Sequence, residues 1–172
     1  TDNDIFYTLA TEDYKTVIYA YNDTFQKKVI SIEGYTISGF DIRNSQLLFV
    51  AETKNHIQEI YSLNTDTDEL HCLSHHNDEV MSERYIAKPK KFTYQSEGET
   101  LNGWVLLPKD YDENKKYPAV FDIHGGPRAA YSEAFFHEMQ VWASEGYFVF
   151  YTNIRGSDGR GDAFADIRGL YG

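Results

Sequence analysis

Two stretches decide the reading of this chain: Tyr117–Pro127, YPAVFDIHGGP, and Ser144–Gly161, SEGYFVFYTNIRGSDGRG. Ala119–His124 reads as a strand entered through Pro118, whose missing N–H suits a first strand position. Gly125–Ala130 follows as a loop bearing glycine and proline. Ser132 then reads as the N-cap of a helix, with Glu133 in its first turn. Phe135, Phe136, Met139, Trp142 and Ala143 fall on one face of that helix, and Gly146 ends it. Tyr147–Thr152 is a continuous apolar run, the mark of a strand buried on both sides. The loop Asn153–Gly161 holds Gly156, Gly159 and Gly161, and Ala163–Arg168 begins a second short helix with Phe164 and Ile167 on one side. Strand, helix and buried strand in that order predict a parallel α/β sheet.

Working outward, LPKDYDENKKYP is a polar loop that delivers the chain to this unit. Before it, Lys91–Ser96 alternates as a strand, Glu97–Thr100 turns around Gly98, and Leu101–Leu107 is a strand stopped by Pro108. Residues 78–91 hold no sustained period and end in a basic, proline-containing run, which sets a boundary there. Further upstream, residues 5–22, IFYTLATEDYKTVIYAYN, align without a gap to residues 47–64, LLFVAETKNHIQEIYSLN, at an offset of 42. Thr11/Thr53, Ile18/Ile60, Tyr19/Tyr61 and Asn22/Asn64 are identical. Tyr35–Phe40 and Glu69–Leu73 supply further strands. A β-repeat of this length is the spacing of a four-stranded propeller blade; a plain antiparallel meander with a coincidental spacing is the alternative. Charge follows the same division. Residues 1–87 carry 15 acids and 6 bases, whereas residues 88–172 carry 12 and 10. The domains expected are therefore residues 1–80 as the last propeller blades, 81–91 as linker, and 92–172 as the α/β unit.

Composition bounds the function. The 172 residues include 14 Tyr and 11 Phe, which suit strands. A net charge of −11 argues against nucleic acid or an anionic membrane as partner, since both demand a basic face. The single cysteine, Cys72, cannot staple the fold. No secretory leader or long apolar run is visible, so a cytoplasmic location is expected.

The sharpest chemical motif is His124-Gly125-Gly126-Pro127, at a strand end and before a helix. Acyl transfer through a tetrahedral intermediate requires donors aimed at a developing oxyanion. A glycine pair lets backbone approach that oxygen, and in α/β-hydrolases one such N–H comes from the loop at this place. A tight structural turn would use the same residues. In the second loop, Arg155 could pair a substrate carboxylate or an internal one. His71, Cys72, His75 and His76 crowd together but match no zinc spacing. His137-Glu138 opens an H-E-x-x-H pattern that Val141 breaks. No metal and no cofactor are expected.

The run YPAVFDIHGGP, the helix with Phe136 and Gln140, and SEGYFVFYTNIRGSDGRG together resemble the acylaminoacyl-peptidase branch of the prolyl oligopeptidase family. The hairpin GETLNGWVLLPKDYDENKKYP and the upstream repeat resemble it too, covering residues 35–172 well and the first unit loosely. The resemblance implies an α/β-hydrolase N-terminal half preceded by antiparallel β-propeller blades, a mixed β and α/β fold. It implies that Gly126, within the Gly125-Gly126 loop, offers its backbone N–H to the oxyanion. His124 and Pro127 would be structural, and Arg155, Gly156 and Ser157 would lie near the site. Asp122 departs from the family, which keeps an apolar residue there; an acid in a strand requires a partner or a path to solvent.

None of the ten serines lies in G-x-S-x-G; Ser157 sits in Gly156-Ser157-Asp158-Gly159. The expectation is a fragment of a serine peptidase that hydrolyses short peptides, itself inactive, whose triad and fold are completed by the rest of a parent chain. Tyr147–Thr152 would then be a central strand left without its neighbour. An esterase-type hydrolase and a non-catalytic β-rich interaction module are the alternatives.

Overall fold

The computed structural model describes residues 4–126 and 128–169. Among these residues are eleven strands, arranged in three sheets, and three short helices. The first sheet is the meander β1 (Phe6–Glu12), β2 (Lys15–Tyr21) and β3 (Lys27–Ile30). The second is the meander β4 (Thr36–Arg43), β5 (Gln46–Glu52), β6 (Glu59–Asn64) and β7 (Leu70–Cys72). They share one core, in which Ile18 of β2 joins Ile37, Leu47, Phe49, Tyr61 and Leu63. Within it Phe49 stacks on Tyr61 at 5.4 Å and Tyr35 meets Tyr61 edge-on at 4.9 Å.

The two meanders correspond, but not at a constant offset. Leu9 pairs with Ile18 in the first, and Ala51 with Glu59 in the second. The first strands therefore align at 42 residues and the second strands at 41. Side chains alternate faces along a strand, so a slip of one residue exchanges inside for outside. Ile18 is fully buried, whereas Ile60, its match in the ungapped alignment, is 40% exposed. The position structurally equivalent to Ile18 holds Glu59, 2% exposed. Its carboxylate accepts hydrogen bonds from the Ser74 hydroxyl and from the backbone and side-chain N–H groups of Asn77. Asn77 precedes α1 (Asp78–Ser82), a helix inside the segment expected to be irregular.

The third sheet has the order β10-β11-β9-β8, from β8 (Lys90–Ser96), β9 (Glu99–Leu106), β10 (Ala119–Asp122) and β11 (Phe148–Asn153). It is mixed, not parallel as expected: only β10 and β11 run parallel, joined by the crossover helix α2 (His137–Ser144). The buried run does become an inner strand, with β10 on one side and β9 on the other. The expectation that it lacks a neighbour is thus corrected. The bare edge is β10, where Phe121 is 56% and nearby Ile123 61% exposed.

The helix also begins later than expected. Ser132 does not cap it; its hydroxyl accepts from Ala134 N–H and shares a 3.1 Å hydrogen bond with Thr36 Oγ1. Phe136 occupies the N-cap position without a side-chain bond, so only Met139, Gln140 and Ala143 are buried. Gln140 closes both polar groups of Ala87, at 2.8 and 3.0 Å, and fastens the linker to α2. Gly146 donates its N–H to Ala143 O and turns the chain into β11. A second core of Trp104, Leu106, Tyr131, Met139, Val149 and Tyr151 lies beneath α2.

Candidate active site

Parallel β10 and β11 deliver their two following loops side by side. The first loop carries His124, Gly125 and Gly126; the second carries Ile154, Arg155 and Gly156. These six residues and Ile167 line one pocket of about 450 Å³. The sequence reading therefore named residues that the fold brings together. Pro127 lies outside the described residues.

His124 and Ser157 fasten the loops to each other. The His124 Nδ1 faces Gly125 O at 3.1 Å, and a carbonyl can only accept, so Nδ1 carries the proton. In the neutral ring Nε2 then accepts from the Ser157 hydroxyl, 2.8 Å away. A serine beside a histidine at this distance has the spacing of a nucleophile and its base. Burial excludes that role: Ser157 is 0% exposed, so no substrate reaches its Oγ, and a carbonyl rather than a carboxylate orients the histidine. Asp158 N–H adds a bond to Ala129 O at 3.0 Å.

Asn153 is the residue that sequence reasoning passed over. It is buried, and its amide closes Tyr131 from both sides, accepting from Tyr131 N–H at 2.8 Å and donating to Tyr131 O at 2.9 Å. The available signal was a polar residue closing an apolar strand run. Tyr131 in turn answers the question posed by Asp122. Burial pushes the Tyr131 phenol well above its ordinary value, and the Asp122 carboxylate, which takes its hydrogen bond, pushes in the same direction. The acid on β10 is half-buried and has a neutral donor as partner.

Gly126 has φ +137°, a backbone state that side chains disfavour, and a Cβ built there would stand 3.0 Å from Arg128 N. Arg155 reaches Glu97 of the β8–β9 turn only at 4.0 Å, and both side chains are exposed. Three histidines of the first region go to carboxylates: His71 to Glu69 at 3.1 Å, and His75 and His56 to Asp78 at 2.9 and 3.6 Å. Among the described residues, no three His, Cys, Asp or Glu side chains gather to hold a metal ion. No helix of these residues is long and apolar enough to cross a membrane.

Comparison with known proteins gives this arrangement a class. The chain is 35% identical over 175 residues to the uncharacterized peptidase YuxL of Bacillus subtilis, covering 99% of this chain and 26% of that protein. It is 27% identical over 176 residues to dipeptidyl-peptidase 5 of Porphyromonas gingivalis, with the same coverage. The acylaminoacyl peptidase of Pyrococcus horikoshii superposes with a TM-score of 0.83 and 28% identity, over 96% of this chain and 26% of that one. An acylaminoacyl peptidase in complex with Z-Gly-Gly-Phe-chloromethyl ketone superposes with a TM-score of 0.84 and 29% identity, over 95% and 25%. These relatives are serine-type peptidases. The sequence model of the prolyl oligopeptidase family matches residues 133–172, and the chain belongs to that family. It spans about a quarter of the length of the relatives it matches.

Proposed function

We propose that this chain is the propeller-to-hydrolase junction of a serine peptidase acting on short peptides through an acyl-enzyme, and that the 124–126 loop is its oxyanion loop. In this reading residues 1–80 are the last two blades, the first incomplete; 81–91 link; and 92–172 open an α/β-hydrolase domain. The observation that carries it is the single pocket between the two loops that follow parallel strands, with Gly126 held at positive φ on its wall. Gly126 N–H is the oxyanion donor and Gly125 shapes the loop. His124 braces it through Ser157, and Arg155 stands at the pocket's rim. Serine, acid and base belong to the remainder of the longer protein, with the nucleophile-bearing strand laid along the bare edge of β10. On its own the chain forms no acyl-enzyme. Peptide-like ligands fit the proposal because an acylaminoacyl peptidase neighbour carries Z-Gly-Gly-Phe-chloromethyl ketone. A cytoplasmic location stays within the proposal, resting on the free Cys72 thiol.

The test is a fluorophosphonate probe on the full-length protein, followed by turnover of blocked aminoacyl and dipeptidyl nitroanilides. Labelling should vanish on Ser→Ala at the G-x-S-x-G serine. Gly126→Ala keeps the N–H but forces a Cβ at φ +137° to 3.0 Å from Arg128 N, so it should displace the donor and lower kcat by up to about 10²–10³, the cost of losing one oxyanion donor. A full-length protein that never labels would sink the catalytic reading and leave a binding module.

A further inference from the structure

The pocket loops do not stand alone, because the turn between β1 and β2 grips the second of them, Asn153–Gly161, from the other region of the chain. Asp13 has φ +56° and donates its backbone N–H to Gly159 O at 2.6 Å. Both carboxylate oxygens of Asp13 accept from Asn102 Nδ2, at 2.8 and 3.0 Å. Gly159 is tailored to the contact: a Cβ there would lie 2.2 Å from Asp13 O and 3.0 Å from Asp13 N. Asn102 pairs across the sheet with Asn153, the residue that clasps Tyr131.

The next residue of the turn extends the same grip by packing. Tyr14 meets Trp104 edge-on at 5.2 Å, with Lys91 Nζ 4.0 Å over its own ring. Trp104 stacks on Tyr151 at 5.4 Å, Tyr151 meets Tyr131 at 5.2 Å, and Tyr131 meets His124 at 5.1 Å. A column of rings therefore runs from the β1–β2 turn to the pocket. A second route runs from Asp13 through Gly159 to Ser157 and back to His124. Packed interiors settle into discrete arrangements and do not deform smoothly, so a turn that touches the second loop directly and reaches the first through the ring column selects the arrangement that forms the pocket.

We propose that Asp13 is a positioning residue: it holds the Asn153–Gly161 loop, and through it His124–Gly126, in the geometry of the pocket. Its catalytic consequence rests on the proposed peptidase function. The loop-holding itself does not.

The test uses the full-length protein and two readouts, amide hydrogen exchange over Gly156–Asp158 and kcat against KM for a peptidyl nitroanilide. Asp13→Gly keeps the positive φ without strain and removes only the carboxylate. It should speed exchange there about tenfold and lower kcat about tenfold, with KM within twofold. Asp13→Asn retains an acceptor for Asn102 and should behave as wild type. Asn102→Asp sets two carboxylates face to face and should reproduce the loss. Adding Asp13→Asn to it restores a donor–acceptor pair and should recover both readouts; this pair decides the matter if Asp13→Gly fails to fold. Unchanged exchange in Asn102→Asp, faster exchange with unchanged kcat in an active enzyme, or no recovery in the double variant would overturn the proposal. If the wild type never turns over substrate, the peptidase reading falls, and loss and recovery of protection still decide whether Asp13 holds the loop.

Discussion

The two regions of the chain bury themselves by different rules. Strands β5 and β6 alternate, one side chain in and the next one out, because each antiparallel sheet covers only one face. In the third sheet the inner strand β11 ends Tyr151-Thr152-Asn153 with three consecutive buried residues: Tyr151 lies in the core that α2, the linker and the turn cover together, and Thr152 lies on the other face beside Gly103 and Phe92. The first region also buries a charge, Glu59, whereas the second buries neutral polar groups, Asn153 and Ser157. The difference teaches where each region can contribute to a site. A one-faced sheet presents chemistry at its turns, as at Asp13. A sheet joined by a crossover helix presents it at strand ends, as at His124–Gly126 and Ile154–Gly156.

The sharpest way to break this comparison is Trp104→Ala, which removes the central ring of the column. A loss of about 3–5 kcal/mol is expected for truncating a fully buried aromatic. Urea unfolding with hydrogen exchange should confine the loss of protection to β8–β11 and the β1–β2 turn. An equal loss across β4–β7 would mean that the two regions share one cooperative core. Gly159→Ala comes next, at about 2–3 kcal/mol for a methyl forced against backbone at positive φ. It should loosen the turn and the loop together, whereas loosening of the loop alone would separate them.

Glu59→Gln should cost about 1–2 kcal/mol, because a buried acceptor is exchanged for a group that cannot serve every donor. Burial alone would raise the Glu59 pKa, but the hydrogen bonds from Ser74 and Asn77 outweigh it and hold the carboxyl at about 2. A pKa depressed on folding stabilises the native state above the unfolded value of 4.5, and that stabilisation is lost as pH falls toward 2. Acid unfolding should therefore have a shallower slope between those values in the Gln variant. An unchanged slope would show that this node does not drive acid sensitivity. The smallest effect is Glu97→Gln, under about 0.5 kcal/mol, since an exposed pair at 4.0 Å is screened. A larger loss by thermal melting would give Arg155 a structural role.

Much of the site was legible because its residues answer to local rules. A strand stopping at a glycine pair and a buried run ending in a glycine loop place both loops by short-range grammar, and the fold joins them in one pocket. The repeat was legible as a period but not in register. Ile18 and Ile60 are identical letters on opposite faces, because one residue fewer between β5 and β6 rotates every later side chain. The helix start misled for a similar reason. Ser132 is a good cap by type, yet Thr36 from another sheet engages its hydroxyl, and the chain bends through Glu133 and Ala134 so that the helix starts only after Phe136.

By itself the sequence determined the family, the strand–helix–strand order around the two glycine loops, and the absence of a G-x-S-x-G serine within these residues. Hydrophobic period, proline and glycine act over a few residues and are written locally. Only the tertiary structure decided the mixed order β10-β11-β9-β8, the bare edge at β10, the burial of Ser157 against His124, and the seat of Asp13 against Gly159 and Asn102. Those contacts join residues 33 to 146 positions apart, as from Ser157 back to His124 and from Gly159 back to Asp13. Their partners are chosen by which surfaces the packed sheets bring within hydrogen-bond reach, and no local pattern carries that choice.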